Sequence, residues 1–222
     1  MPKSSFNAYG SEALNLGQSH KPIWLGVVAP HAVGGTLNTD FLKKGIHIPA
    51  GTGVNLNAGV ITPFITFKVK ANTAGSGTYV LTLDPVDVAE YGYIPQVGDY
   101  LQLVDNSAFG SNGNAVAITA VAPNATDASL IDVTVNINAA AGKCVVLNFG
   151  STKIAAPNGY LYNDIYLGDI EVSAASISDK TTAATGAVVD FHGEGILIDL
   201  TPCAVYAAAM KAAVPNVIQV LV

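Results

Sequence analysis

Ile131-Asp132-Val133-Thr134-Val135-Asn136-Ile137 alternates apolar and polar residues without a break, which puts four apolar side chains on one face. A period of two marks a half-buried antiparallel strand. Ile65-Thr66-Phe67-Lys68-Val69-Lys70 repeats it. Outward from these two runs, the same reading gives strands over 78–83, 99–104, 115–121, 144–149, 165–172, 187–192 and 195–200. Turn-forming runs separate them: Ala74-Gly75-Ser76-Gly77, Gly110-Ser111-Asn112-Gly113 and Pro157-Asn158-Gly159. The chain is therefore expected to be mainly β.

One helix stands out near the end. Thr201 can cap it, Pro202 suits the first helical position, Cys203 to Val214 is rich in Ala, and Pro215 stops it. A shorter helical turn can begin at Asp84-Pro85. After Pro215, Val217-Ile218-Gln219-Val220-Leu221-Val222 is apolar enough to return to the core as a strand.

Three regions emerge. Residues 1–22 mix Gly, Ser, Asn and Gln with isolated apolar residues and show no sustained period, as an extended N-terminal arm would. Residues 64–150 hold about six short strands, including the turn-into-strand Gln96-Val97-Gly98-Asp99-Tyr100-Leu101, and read as an inserted small β-barrel. The flanks, 23–63 and 151–222, carry the helix and the last strand and would form the host domain.

Composition narrows the function. Of 222 residues half are hydrophobic and 12% charged, which excludes a disordered chain. Gly, Pro, Asn or a charge interrupts each apolar run before the roughly 18 residues of a membrane helix. Met1-Pro2-Lys3-Ser4-Ser5-Phe6-Asn7 has no hydrophobic signal region, so classical secretion is not expected. The net charge is −6 and every base is Lys, a poor fit to a phosphate backbone or to bidentate base readout. No nucleic-acid or membrane partner is expected. So few charges leave a surface of Asn, Thr, Ser, Gly and Ala, which is easily desolvated against a neighbouring protein. Cys144 and Cys203 lie 59 positions apart in no cluster and are read as reduced thiols rather than a disulfide.

Chemical motifs are sparse. His192-Gly193-Glu194 followed by Pro202-Cys203 approaches a zinc deaminase signature, but Tyr206 stands where its second cysteine belongs. One thiolate and one imidazole do not complete a tetrahedral zinc site. H-E-x-x-H, G-x-S-x-G and the phosphate-binding glycine loop are absent. Gly34-Gly35-Thr36 and Gly51-Thr52-Gly53 read as turns, and His20, His31 and His47 are scattered. Asp84, Asp87 and Glu90 favour the start of a short helix better than a calcium loop. Asn124-Ala125-Thr126 fits a glycosylation sequon in a chain with no secretory signal. No catalytic residue, cofactor or metal is expected.

Three stretches together carry a resemblance. Gly45-Ile46-His47-Ile48-Pro49-Ala50-Gly51-Thr52 is similar to the first strand and turn of phage capsid decoration domains. Asp164-Ile165-Tyr166-Leu167-Gly168-Asp169-Ile170-Glu171-Val172 then precedes a polar Ser/Thr/Ala connection. Ala187-Val188-Val189-Asp190-Phe191-His192-Gly193-Glu194-Gly195 leads to Leu200, an Ala-rich helix and a final strand. This order resembles the lambda-type head decoration proteins of tailed bacteriophages, and it lies in the flanks. The resemblance implies a β-tulip-like decoration domain with one short C-terminal helix, carrying the inserted module. It implies a structural virion protein, not an enzyme: an auxiliary capsid cement on the capsid exterior, made in the host cytoplasm. Its partners would be the major capsid protein and itself, as a homo-oligomer, commonly a trimer. Such proteins add an N-terminal arm to a capsid strand, which here points to Phe6, Tyr9, Leu14 and Leu16, with Ile23 and Trp24 anchoring the arm's exit. The alternative is a head fibre or carbohydrate-binding module in which Tyr79, Tyr91, Tyr93 and Tyr100 form a stacking patch.

Overall fold

A computed structural model describes residues 24–26, 35–38, 46–148, 150–162, 164–166, 188–189, 191–192, 195–199 and 203–221. The protein is mainly β. Five strands come first: β1 (Trp24–Gly26), β2 (Gly35–Leu37), β3 (His47–Ile48), β4 (Gly53–Asn57) and β5 (Val60–Pro63). The middle of the chain gives β6 (Thr66–Ala74), β7 (Tyr79–Leu83), α1 (Pro85–Tyr91), β8 (Tyr100–Val104), β9 (Val116–Ala117), β10 (Ala120–Pro123), β11 (Ile131–Val135) and β12 (Cys144–Asn148). After it come β13 (Gly159–Leu161), β14 (Ile165–Tyr166), β15 (Val188–Val189), β16 (Phe191–His192), β17 (Gly195–Asp199), α2 (Ala204–Ala213) and β18 (Val217–Leu221).

The middle strands form one antiparallel sheet in the order β10-β11-β7-β6-β12-β8-β9. Its two edge strands are consecutive in the chain, joined only by Ile118 and Thr119. Three peptide units reach about 11 Å at most, so the sheet has to curl until its edges nearly meet. Backbone bonds hold the junction. Ile118 N–H donates to Asp99 O (2.7 Å), and Thr119 N–H donates to Thr134 O (2.9 Å). Ile118 itself turns into the core, 2% exposed. The single strand expected over 115–121 is thus two short ones that change partner at its centre.

The alternation in β11 does what its period requires. Val133 and Val135 are buried, while Asp132 on the other face accepts from Thr82 Oγ1 of β7 at 2.7 Å, opposite it in register. In β12 all five residues are buried, and the first four alternate between two cores. Val145 and Leu147 join Phe67, Val69, Leu81, Leu101 and Val133. Cys144 and Val146 join Phe64, Phe109 and the α2 residues Tyr206, Ala209 and Met210. A strand covered on both faces needs the continuous apolar run that Cys144 to Leu147 supplies.

The flanking strands pair separately: β15-β2-β5-β4-β13-β16 in one sheet, β1-β17-β18 in a second, and β14-β3 alone. Among the described residues, no strand of the middle sheet pairs with a flanking one. Packing does cross that boundary. The core beneath the curled sheet continues into Leu37, Ile48, Val54, Ile61 and Leu161 of the flanks. On the other face lies α2, the crossover that connects the parallel pair β17 and β18. The helix starts two residues later than the sequence suggests: Cys203, not Thr201, is the N-cap, and Ala204, not Pro202, is the first helical residue. Where α2 reaches the flank sheet, Gly53 receives it. A Cβ there would stand 2.5 Å from Met210 Cε and 2.8 Å from the Tyr206 hydroxyl.

A core shared in this way unfolds as one unit. Trp24, the sole tryptophan, reports the flanks, whereas far-ultraviolet dichroism reports the strands of both regions. Met210→Ala is expected to cost about 2–5 kcal/mol and to lower the thermal midpoint of both signals equally. A variant that moved only the Trp24 signal would show two independent units.

Candidate functional site

Of the residues expected to meet a capsid, Phe6, Tyr9, Leu14, Leu16 and Ile23 lie outside the described residues. Trp24 opens β1, whose backbone pairs antiparallel with β17, Trp24 opposite Leu197. Strand β1 is an edge of its three-stranded sheet.

The best-defined polar constellation joins the middle of the chain to the flanks, and it centres on α1. Lys68 in β6 turns its amide and carbonyl away from β12 just where the register with β7 shifts, between Val69 and Ala71. Those two groups need partners. Asp84 N–H donates to Lys68 O (2.9 Å), and Lys68 N–H donates to Asp87 Oδ2 (2.6 Å). Asp84 also caps α1, accepting from Val86 N–H at 3.1 Å, with Pro85 next and Gly92 left-handed at the far end. Asp84 and Asp87 therefore serve the sheet and the helix start, whereas Glu90 falls in the last turn of α1 and not at its start.

From the end of α1, Glu90 reaches β3. His47 is 7% exposed, and its Nδ1 lies 2.9 Å from the Glu90 carbonyl oxygen. A carbonyl only accepts, so Nδ1 carries a proton. Nε2 faces Asp164 Oδ2 at 3.9 Å, and Asp164 Oδ1 accepts from Ala50 N–H at 2.5 Å. A carboxylate on that side favours the imidazolium. Burial works against the charge on His47, yet the Asp164 carboxylate and the Glu90 carbonyl outweigh it, and its pKa is raised. Burial raises Glu90 as well, and it pushes Asp87 up to about 6 despite the Lys68 amide. Sequence reading placed His47 among scattered histidines. Its one local signal is that it stands between Ile46 and Ile48, both buried, where an imidazole needs a partner. Asp164, more than a hundred positions away, carries no such signal. This group can fasten two chain segments in a proton-dependent way.

The aromatic patch of the carbohydrate reading does not form. Tyr91 and Tyr93 are buried; the Tyr91 hydroxyl lies 3.3 Å from Thr66 Oγ1, and the Tyr93 hydroxyl donates to Asp99 Oδ2 at 2.5 Å. Tyr79 and Tyr100 are half-buried strand residues. His192 lies in β16, its backbone opposite Tyr160. Among the described residues no three of His, Cys, Asp and Glu gather to hold a metal ion, and no helix is long and apolar enough to cross a membrane. Asn124 of the sequon uses its amide nitrogen on both oxygens of Asp132 (3.1 and 3.0 Å). The two cysteines, far apart in sequence, are both free and buried in one core cluster. No known protein family, curated protein or solved structure matches the chain.

The proton linkage has a definite sign. Asp87 and Glu90 have folded pKa values above their unfolded ones, so the native state binds more protons and stability falls as pH rises from about 4 to 6. The His47 contribution is complete below its unfolded value of 6.5 and is lost as pH rises through the higher folded value. Asp87→Asn keeps an acceptor for Lys68 N–H and removes the buried charge. It is expected to stabilise the protein by about 1–3 kcal/mol at pH 7 and to change little at pH 4. Equal effects at both pH values, measured by denaturant unfolding, would remove the buried charge as the cause.

Proposed function

We propose that this chain is a structural virion protein, an auxiliary capsid decoration protein that binds the outside of the assembled phage capsid and stabilises it. It acts without catalysis, as a homo-oligomer on the major capsid protein. The observation that carries this reading is the placement of the three family-like stretches. His47–Ile48 from the first pairs with Ile165–Tyr166 from the second, and Val188–Val189 and Phe191–His192 from the third join the flank sheet beside β2 and β13. Stretches more than a hundred residues apart thus gather in the strands flanking the 64–150 sheet. The finer assignment, a β-tulip-like host carrying an inserted barrel, belongs to the same proposal.

Two further features support it. The arm would leave from the sheet edge at β1, and unpaired arm residues can complete their backbone hydrogen bonds by adding a strand to a neighbour. With 12% charged residues, little charge has to be desolvated when an interface of standard size, about 1,600 Å², closes. Repetition around a shell then multiplies a modest contact. The head-fibre alternative has lost its exposed aromatic platform.

The test is addition of the purified chain to assembled capsids that lack it, with sedimentation and thermal disruption as readouts. The full chain is expected to co-sediment and to raise the disruption temperature. A chain lacking residues 1–22, or carrying Phe6→Ala and Tyr9→Ala, should bind at least tenfold more weakly, as loss of interface anchors does. Absence of binding by the full chain, together with its absence from purified virions, would overturn the proposal.

A further inference from the structure

Two Asn-Gly pairs occur in the chain, Asn112-Gly113 and Asn158-Gly159, and the fold treats them in opposite ways. Asn112 follows a short 3-10 turn, Phe109–Ser111, and is 1% exposed. Its Oδ1 accepts from two successive main-chain amides, Asp105 N–H at 3.0 Å and Asn106 N–H at 2.9 Å. Its Nδ2 meets no acceptor among the described residues. Gly113 is exposed and belongs to no strand or helix, and a Cβ placed on it would meet nothing within 4 Å. Asn158, by contrast, is held at both ends of its amide. Its Oδ1 accepts from Leu56 N–H (2.8 Å), and its Nδ2 donates to Leu56 O (2.9 Å). Gly159 is buried and begins β13, opposite Val54.

We propose that Asn112 is a self-modification site, converted within the native fold to aspartate and isoaspartate by attack of Gly113, while Asn158 is protected. A solvent base takes the Gly113 N–H proton, and the nitrogen adds to Asn112 Cγ. A C–N bond forms, the Cγ–Nδ2 bond breaks, and Nδ2 leaves as ammonia with a proton returned from solvent, giving a five-membered succinimide. Water then adds to one of the two ring carbonyls and a ring C–N bond opens, so the net change exchanges ammonia for water. The Asp105 and Asn106 amides stabilise the negative charge that develops on Oδ1 as the nitrogen adds. The backbone at Asn112 is extended, with ψ 155°, and rotation about that one bond carries the Gly113 nitrogen toward Cγ with no side chain on Gly113 in the way. At Asn158 the same rotation would pull Gly159 from β4, and loss of Nδ2 would break the bond to Leu56. Isoaspartate routes the main chain through the side-chain methylene, close behind Phe109. That ring stacks on Phe64 at 5.6 Å and meets Tyr206 of α2 edge-on at 6.1 Å. Modification therefore loosens the packing of α2 on the curled sheet. The site depends on no assumption about a capsid.

The native full-length chain is kept in mildly alkaline buffer, digested at intervals and mapped by mass spectrometry, with isoaspartate counted by isoaspartyl methyltransferase. Asn112 is expected to lose its amide about tenfold faster than Asn158, the scale on which reactive geometry acts. In the chain held in denaturant the two pairs should react at similar rates. Gly113→Ala has open space for its methyl group and should fold as the parent does. It is expected to slow the reaction at Asn112 about tenfold by crowding the attacking nitrogen and to leave Asn158 unchanged. The thermal midpoint of the wild-type chain should fall as isoaspartate accumulates, and that of Gly113→Ala should hold. Should the variant fail to fold, the native and denatured rates of the wild-type chain decide alone. Native rates at Asn158 that equal or exceed those at Asn112, an Asn112 that reacts only in denaturant, or an unchanged rate in folded Gly113→Ala would each overturn the proposal.

Discussion

The link Ile118-Thr119 is the constraint on which the architecture depends. It joins the two edge strands of a seven-stranded sheet, so the sheet cannot lie open. Curling brings Val69, Leu81, Leu101, Val133 and Val145 into one interior and leaves the outer face of β12 apolar. That outer face has to be covered, and α2 covers it. Closure by covalent connection instead of a full hydrogen-bond ladder also leaves places where strands stop pairing, and Lys68 is one. There Asp84 and Asp87 supply what a longer β7 would have supplied, and the helix they begin carries Glu90 to His47. One short loop thus leads, through burial and backbone accounting, to the polar seam between middle and flanks.

Placing a carboxylate at that seam is costly in isolation, since burial disfavours its charge. Asp87 is retained because the Lys68 amide has no other acceptor, and an unsatisfied buried amide costs about 1–3 kcal/mol. Moreover, the start of α1 offers a favourable dipole to an acid. The same economy of partners explains His47. Its Nδ1 proton meets a backbone carbonyl that α1 leaves open at its C-terminal end, and Asp164 meets the other nitrogen while holding Ala50. A stability linked to protons follows from satisfying backbone groups, with no catalytic purpose required.

Much of the middle sheet was legible because its strands show the half-buried period of two. β6, β7, β8 and β11 were read close to their observed bounds, and the apolar run of β12 was found as a strand. That both its faces are buried could not be read, because a continuous apolar run does not name what covers it. The short flank strands β2, β4, β5 and β13 escaped: three to five residues between glycines and prolines give too few alternations for a period, and β3 was legible only through the resemblance of Gly45 to Thr52 to a strand and turn. The sequence places the start of α2 two residues early because Thr201-Pro202 is a sound capping pair by local rules, whereas the observed cap is Cys203, buried in the core cluster that α2 joins. Of the polar seam, the Asp84-Pro85 helix start was visible, but pairing His47 with Asp164 needs the topology of β3 and β14.

Shared packing also bears on how the chain would work as cement. Strand pairing separates residues 66–148 from the flanks, which by itself suggests a passenger on a host. The side chains do not separate. Tyr206 and Met210 of α2 lie in one cluster with Phe64, Phe109 and Val146, and the flank residues Ile48, Val54 and Leu161 continue the middle core. A load entering through the flanks therefore spreads into the curled sheet through close-packed, poorly compressible contacts. On the capsid reading, the middle region stiffens the clamp and adds buried area to the single fold whose unfolding would release it, a mechanical role that requires no ligand of its own.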